Sequence, residues 1–367
     1  MRAAIYRKGS LVVDTLPDPR PEAGQVVVKT LSCGICGSDL HALHHAMHMV
    51  DVSRRSGQGT VFDAERDVVF GHEFCAEVLD FGPDTEKRFK SGARVCSVPV
   101  VLGAQGVGTV GYSNEYPGGY GEQMVLNEAL LLEVPNGLSS SNAALTEPMA
   151  VGLHAVVKAG LGEDDVPLVI GCGPVGLAVI ATLKLKGAAP VVAADFSPAR
   201  RRLAEIMGAD IVIDPGETSP YTRWEAAASP EDPNIPPVLT LTGFRPALRP
   251  AVIFECVGVP GMLQQIMEGA PKDARVVVVG VCMEHDSIEP FFAIGKELNM
   301  QFVLGYTPEE FAETLHHVAE GNIDVSPMIT GKTGLEGVSQ AFDALANPDN
   351  HAKILVEPWS KESLSSL

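Results

Sequence analysis

An apolar run that ends in three glycines spaced G-x-G-x-x-G leaves a chain few options. Val166–Leu183 reads VPLVIGCGPVGLAVIATL, with Gly171, Gly173 and Gly176 in that spacing. The run approaches membrane length, but two prolines and three glycines suit a strand, a turn and a helix better than a bilayer span. The first glycine permits a tight turn and the second lets backbone approach a pyrophosphate. The third lets helix and strand pack closely, with the phosphates at the positive helix end. Pro174 fits the first helical position, so Gly171, Gly173, Pro174, Val175 and Gly176 are candidate dinucleotide contacts.

The next strand, PVVAAD, ends at Asp195, 19 residues past Gly176, where a carboxylate can accept both ribose hydroxyls and repel a 2′-phosphate. NAD is therefore expected over NADP. Asp195 could instead cap the helix SPARRRLAE, and Arg200–Arg202 could accept a 2′-phosphate, with Arg200 the candidate for the adenosine side. Strands follow in AVIFECVG and DARVVVVGV, with a helix between them. Their ends, Cys256 and Val257, then Val279, Gly280 and Val281, are candidate backbone contacts to a nicotinamide. Strands alternating with helices predict a doubly wound parallel sheet of the Rossmann type.

Residues before about 148 read differently. QVVVKT, DVVFGHEFCAEVLDFG and ARVCSVPVV are short β-branched runs between Gly, Pro and Asp clusters, which predicts an antiparallel sheet or barrel. The expected division is 1–149, 150–303 and a return over 304–367. Segment 215–250, rich in Pro and polar residues, reads as an insertion. A length of 367 residues with 46% hydrophobic and 20% charged residues describes an ordinary globular chain. A net charge of −19 repels phosphate backbones and anionic lipid, so neither nucleic acid nor membrane is expected as a partner. Seven scattered cysteines and an N-terminus without a signal pattern point to the cytoplasm.

Cys33 and Cys36 stand in SCGICGSDLHALHHAMH as C-x-x-C, a spacing shared by zinc sites and redox dithiols. His41, His44, His45 and His48 follow at helical spacing, on one face of a helix. His72 and Glu73 in VVFGHEFCAEV, with Glu147 in LTEPMAVGLHA and Cys36, complete a thiolate, an imidazole and two carboxylates, a set that zinc accepts.

CGICGSDLH, GHE, GGYGEQ, TEPMAVGLHA, GCGPVG and KILVEP occur in an order that resembles the zinc-dependent medium-chain dehydrogenases over nearly the whole chain. The resemblance implies a GroES-like catalytic domain beside the Rossmann domain. Glu147 stands where alcohol dehydrogenases of the animal liver type have cysteine, which is similar to the polyol, threonine and butanediol dehydrogenase branch. The activity implied is NAD-linked oxidation of a secondary alcohol, diol or polyol, or reduction of the carbonyl. The site implied has Cys36 and His72 as zinc ligands, with Glu73 and Glu147 as alternating or water-linked ones. Ser38 corresponds to the hydroxyl that bonds the alcohol and His41 to the surface end of a proton relay through the cofactor ribose. Asp39 orients the ligating histidine, and Lys353 is similar to a basic residue that reaches the cofactor phosphates. A homodimer or homotetramer through MQFVLGY is implied as well.

Two departures matter. Between Cys96 and Gly121 the four cysteines of a structural zinc are missing, so one catalytic zinc is expected, and this lobe must be held by packing or a subunit contact. The stretch from Cys36 to His72 is long, and 51–67 reads as an inserted loop that walls the substrate cleft. Two other readings stay open, a zinc-free NADPH-dependent quinone or enone reductase and a non-enzymatic cofactor-binding protein. For the C-x-x-C the expected outcome is asymmetric. Cys33→Ser should keep about one zinc and most activity, whereas Cys36→Ser should lose tight zinc and nearly all turnover, because a hydroxyl replaces a thiolate poorly. Equal losses in both variants, by metal analysis and steady-state rate, would make Cys33 a ligand or redox partner.

Overall fold

The computed structural model describes residues 1–57, 62–104, 106–230, 232, 234–240 and 243–366. They divide into two compact units, one of Met1–Pro148 with Thr307–Leu367 and one of Met149–Tyr306. The boundary falls inside the helix Thr146–Ala159.

The first unit is built on an eight-stranded sheet whose spine is the long strand Gln25–Gly34. Its β-branched run buries Val26 and Val28 completely, as a strand covered on its face must. Glu73–Phe81 pairs with it antiparallel, Gln123–Asn127 joins it along its first half, and Lys353–Val356 joins its end, bringing residue 353 beside residue 35. Gly34 lies opposite Glu73 in the register, and a Cβ at position 34 would collide with the Glu73 carboxylate. The glycine is thus the condition for a charged side chain to lie flat across the spine.

Two expectations are corrected here. The stretch 51–67 is not a loop throughout: the helix Gly37–Arg55 continues over residues 51–55, and Asp51 pairs with Arg54 and Arg55 one turn on. Residues 58–61 of the expected loop lie outside the described residues, and Phe62 is 2% exposed in the core rather than at a surface. The helix carries non-helical dihedrals at His45 (φ −126°, ψ 26°), so the four histidines do not form one regular face.

The second unit carries six parallel strands, Val166–Ile170, Val192–Ala194, Ile211–Ile213, Ala251–Glu255, Arg275–Val278 and Asn299–Phe302. Counted along the chain they lie in the order 3-2-1-4-5-6, a doubly wound sheet with its switch point beside the glycine turn. Segment 215–250 is also corrected. It contains the helix Pro220–Ala228, whose Trp224 is 2% exposed in the sheet's core and donates its indole N–H to the Val166 carbonyl at 2.9 Å. Its second half, with the hairpin strands Val238–Thr240 and Gly243–Arg245, stays on the surface. Among the described residues no helix is long and apolar enough to cross a membrane.

Candidate metal centre and nucleotide turn

Cys36 ends the spine strand's exit and precedes the helix Gly37–Arg55, while His72 and Glu73 open the neighbouring strand. The register therefore delivers a thiol, an imidazole and a carboxylate to one place. Their ligand atoms lie within 4.8 Å of one another, the one such group of three or more among the described residues. Glu147, the other carboxylate of the expected alternating pair, lies outside that group of three. It is buried in the first turn of Thr146–Ala159, close enough to act on the charge of Lys353. Cys33 also lies outside it, fully buried, its thiol pushed up by burial.

Asp39 is the hub beneath the cluster. The carboxylate is wholly buried. Its Oδ2 accepts from the Cys36 amide at 3.1 Å and the Tyr120 hydroxyl at 2.7 Å, and its Oδ1 lies 2.8 Å from the Tyr112 hydroxyl. His72 Nδ1 stands 3.5 Å from Oδ1, an ion-pair distance rather than a formed hydrogen bond. Burial works against charge on both groups, yet each holds the other's: His72 is raised well above the usual histidine range and Asp39 is lowered. Nε2 is then the nitrogen left for a metal, with Asp39 raising its basicity from behind.

Lys353 departs most from expectation. Its ammonium is 1% exposed and donates to Glu73 Oε1 at 2.7 Å, Glu73 Oε2 at 2.8 Å and the Ile35 carbonyl at 3.0 Å. An ammonium has three donors, and all three are used inside the first unit, so none remains for a cofactor phosphate. Burial alone would drive this lysine towards neutrality. The charge and hydrogen bonds of Glu73, together with the charges of Cys36 and Glu147, outweigh that and raise its pKa above the ordinary value.

Ser38 and His41 both sit on the helix Gly37–Arg55, one turn apart and half-buried. His44 and His45 are exposed, with the His41 and His45 ring centroids 6.5 Å apart. Sequence reasoning missed Tyr112 and Tyr120. The available signal was the tyrosine repeat at 112, 116 and 120 within the lobe that lacks cysteines, since a buried tyrosine needs a partner for its hydroxyl. That lobe is held by packing: Tyr112 lies against Phe62, Phe70 and His72, and Tyr116 covers Gly103 and Gly108.

In the second unit Gly171–Gly176 leads into the helix Pro174–Leu185, whose N-cap Gly173 makes no side-chain cap and leaves the first amides open. A Cβ at Gly176 would collide with the Gly171 carbonyl, while a Cβ at Gly173 would meet nothing nearer than the Arg200 guanidinium at 3.8 Å. The space above Gly173 and the buried Arg200 Nε, which has no hydrogen-bond partner, fit an anionic dinucleotide. Asp195 does more than end its strand. Oδ2 accepts from the Cys172 amide and Oδ1 from the Ser197 amide, both at 2.8 Å, so it pins the glycine turn. The helix cap is Ser197, not Asp195. Arg201 is engaged by Asp214 and two carbonyls. Glu255 accepts from the amides of Val257 and Gly258 through Oε1 and from those of Val279 and Gly280 through its carbonyl. The ends of the two strands are thereby joined, with Cys256 half-buried and Val281 exposed.

Residues 22–136 match the alcohol dehydrogenase GroES-like domain and residues 174–320 the zinc-binding dehydrogenase domain. The chain is 32% identical to the (R,R)-butanediol dehydrogenase of Bacillus subtilis over 98% of its own length and 100% of the relative's. It is 26% identical to the sorbitol dehydrogenase of the same organism over 98% and 97%. The crystal structure of 2R,3R-butanediol dehydrogenase from Bacillus subtilis superposes with a TM-score of 0.78 at 30% identity, covering 97% of this chain and 99% of that one. A structure from Sinorhizobium meliloti 1021 with NADP bound gives 0.76 at 26% identity, covering 97% and 99%. With the thiol, imidazole and carboxylate gathered in one unit and the glycine turn in the other, the chain belongs to the zinc-binding dehydrogenases of the alcohol dehydrogenase type.

Proposed function

We propose that the protein oxidises a secondary alcohol, with a vicinal diol or polyol as the substrate class, and uses NAD; in reverse it reduces the ketone. The observation that carries this reading is the approach of the ligand atoms of Cys36, His72 and Glu73 to within 4.8 Å of one another, with Ser38 in the first turn of the helix that Cys36 caps. The full-length likeness to a butanediol dehydrogenase supports the diol. Cys36 and His72, with Glu73 or Glu147 as the carboxylate, would hold one zinc, whose Lewis acidity lowers the pKa of a bound alcohol while NAD supplies the hydride acceptor. Ser38 Oγ would accept the hydroxyl proton as it releases its own, and His41, one turn along the helix, would hand the released proton on to solvent. Asp39 keeps His72 turned towards the metal. The unit Met149–Tyr306 binds the cofactor at Gly171–Gly176, Asp195 and Arg200, and the remainder carries the chemistry.

Seven free thiols support a reducing cytoplasm as the setting. The edge strand Asn299–Phe302, with Phe302 and Leu304 mostly exposed, supports a homo-oligomer joined there. A monomeric mass by light scattering would remove that assignment.

Rates over a panel of 2,3-butanediol stereoisomers, sorbitol and simple secondary alcohols, each with NAD and NADP, test the main reading. A diol should lead with NAD. Asp195→Ala should raise KM for NAD about tenfold, since both a ribose contact and the pinned turn are lost, and should narrow the preference over NADP. Equal kcat/KM with NADP in the wild type would make Arg200 the deciding group. No turnover of any alcohol by zinc-loaded protein would end the reading.

The Lys353–Glu73 pair generates a second expectation. Lys353→Met leaves a buried carboxylate without its counter-charge, which should cost the zinc-free protein about 3–5 kcal/mol. Zinc beside Glu73 can replace that charge, so the rise in Tm on adding zinc should be larger in the variant than in the wild type. An unchanged zinc-induced rise by scanning calorimetry would separate Glu73 from the metal.

A further inference from the structure

The geometry points to Tyr112 as a positioning residue that sets the direction of the Ser38 hydroxyl proton, so that Ser38 meets substrate as a hydrogen-bond acceptor. The inference rests on the reading above in taking Ser38 as the group that touches the substrate hydroxyl. The Tyr112 hydroxyl oxygen lies 2.9 Å from Ser38 Oγ and 2.8 Å from Asp39 Oδ1. A phenol has one proton and can donate only once. Asp39 also receives the Tyr120 hydroxyl and the Cys36 amide, so it is an acceptor throughout. The Tyr112 proton therefore goes to Asp39 Oδ1, and the contact with Ser38 is made by the Ser38 proton entering a lone pair of Tyr112.

Three consequences follow from that order. Both lone pairs of Ser38 Oγ remain free, and an incoming alcohol can donate its hydroxyl proton to one of them. A ketone has no proton to give and needs a donor, which Ser38 cannot be while its proton is held by Tyr112. The pair thus discriminates in favour of the alcohol at the binding step. The Tyr112 ring is fixed for this task, 8% exposed and packed against Phe62 at 6.4 Å, Phe70 at 5.8 Å and His72 at 5.3 Å between centroids. Tyr112 comes from the lobe between Cys96 and Gly121, so the lobe that lacks cysteines is tied to the site through this hydroxyl.

Tyr112→Phe keeps the ring and removes only the hydroxyl, freeing Ser38 to donate. With zinc-loaded protein of unchanged metal content, KM for the alcohol should rise about tenfold while KM for the matching ketone stays level or falls. In a Ser38→Ala background the same change should leave the alcohol-to-ketone KM ratio where it was. A general loosening of the site would instead raise both KM values, and would do so in either background; that outcome, or an unchanged ratio in the single variant, overturns the proposal. A double-mutant cycle on urea unfolding of Ser38→Ala and Tyr112→Phe reads the bond without substrate. The two effects should fall short of additivity, and strict additivity overturns the proposal whatever the activity. If the wild type oxidises no alcohol while the cycle shows coupling, the assigned substrate fails and the Ser38–Tyr112 hydrogen bond stands. The acceptor role is then decided by whether a secondary alcohol, tested as a ligand by calorimetry, binds Tyr112→Phe about tenfold more weakly than the wild type; equal binding overturns it.

Discussion

A single buried carboxylate organises the catalytic unit. Asp39 is wholly removed from water, a position whose cost must be met by hydrogen bonds and opposite charge. Three donors come from separate places in the chain, the Cys36 amide at the helix start, the lobe tyrosine Tyr112 and Tyr120 beyond it, and His72, just before the neighbouring strand, adds its charge at ion-pair distance. Satisfying Asp39 therefore brings together segments that no local propensity would join. The Cys36 thiol and the His72 imidazole, the candidate ligands, are brought close as a result.

The second constraint is the ion pair of Glu73 and Lys353, also dry and linking residues 280 positions apart. Strand register makes it possible. Gly34 gives Glu73 room to lie across the spine strand, and the C-terminal strand Lys353–Val356 pairs with the end of that spine. Glu73 thus has an ammonium bound to both its oxygens while it also lies with Cys36 and His72 in the cluster of three.

In the unit Met149–Tyr306 two carboxylates act on backbone. Asp195 secures the glycine turn through the Cys172 amide, and the Glu255 side chain holds the turn after its own strand through the amides of Val257 and Gly258, while its carbonyl ties that strand end to Val279 and Gly280. Trp224 performs a comparable service from a segment whose composition suggests a surface insertion. The Pro and polar residues around it hide one helix that closes the sheet, because average composition over 215–250 masks a nine-residue element.

The doubly wound sheet, the glycine turn and the acidic residue after it were legible in the linear chain because each depends on short-range pattern, apolar strands alternating with helices and a turn that needs glycine; Cys36, His72 and Glu73 were legible as a donor set through their chemistry and the resemblance. Ser38 and His41 came from the resemblance alone, and the fold adds that they sit one turn apart on the helix Gly37–Arg55. What the linear chain could not disclose depends on strand register and on the demand of buried charge for partners. Lys353 reads as a solvent or phosphate lysine until Lys353–Val356 is paired with the spine; only then does its ammonium fall on Glu73. Glu147 reads as a fourth ligand, and the fold leaves it outside the cluster of three. Tyr112 and Tyr120 carry no motif, and only tertiary packing decides that the hydroxyls of a lobe without cysteines converge on Asp39.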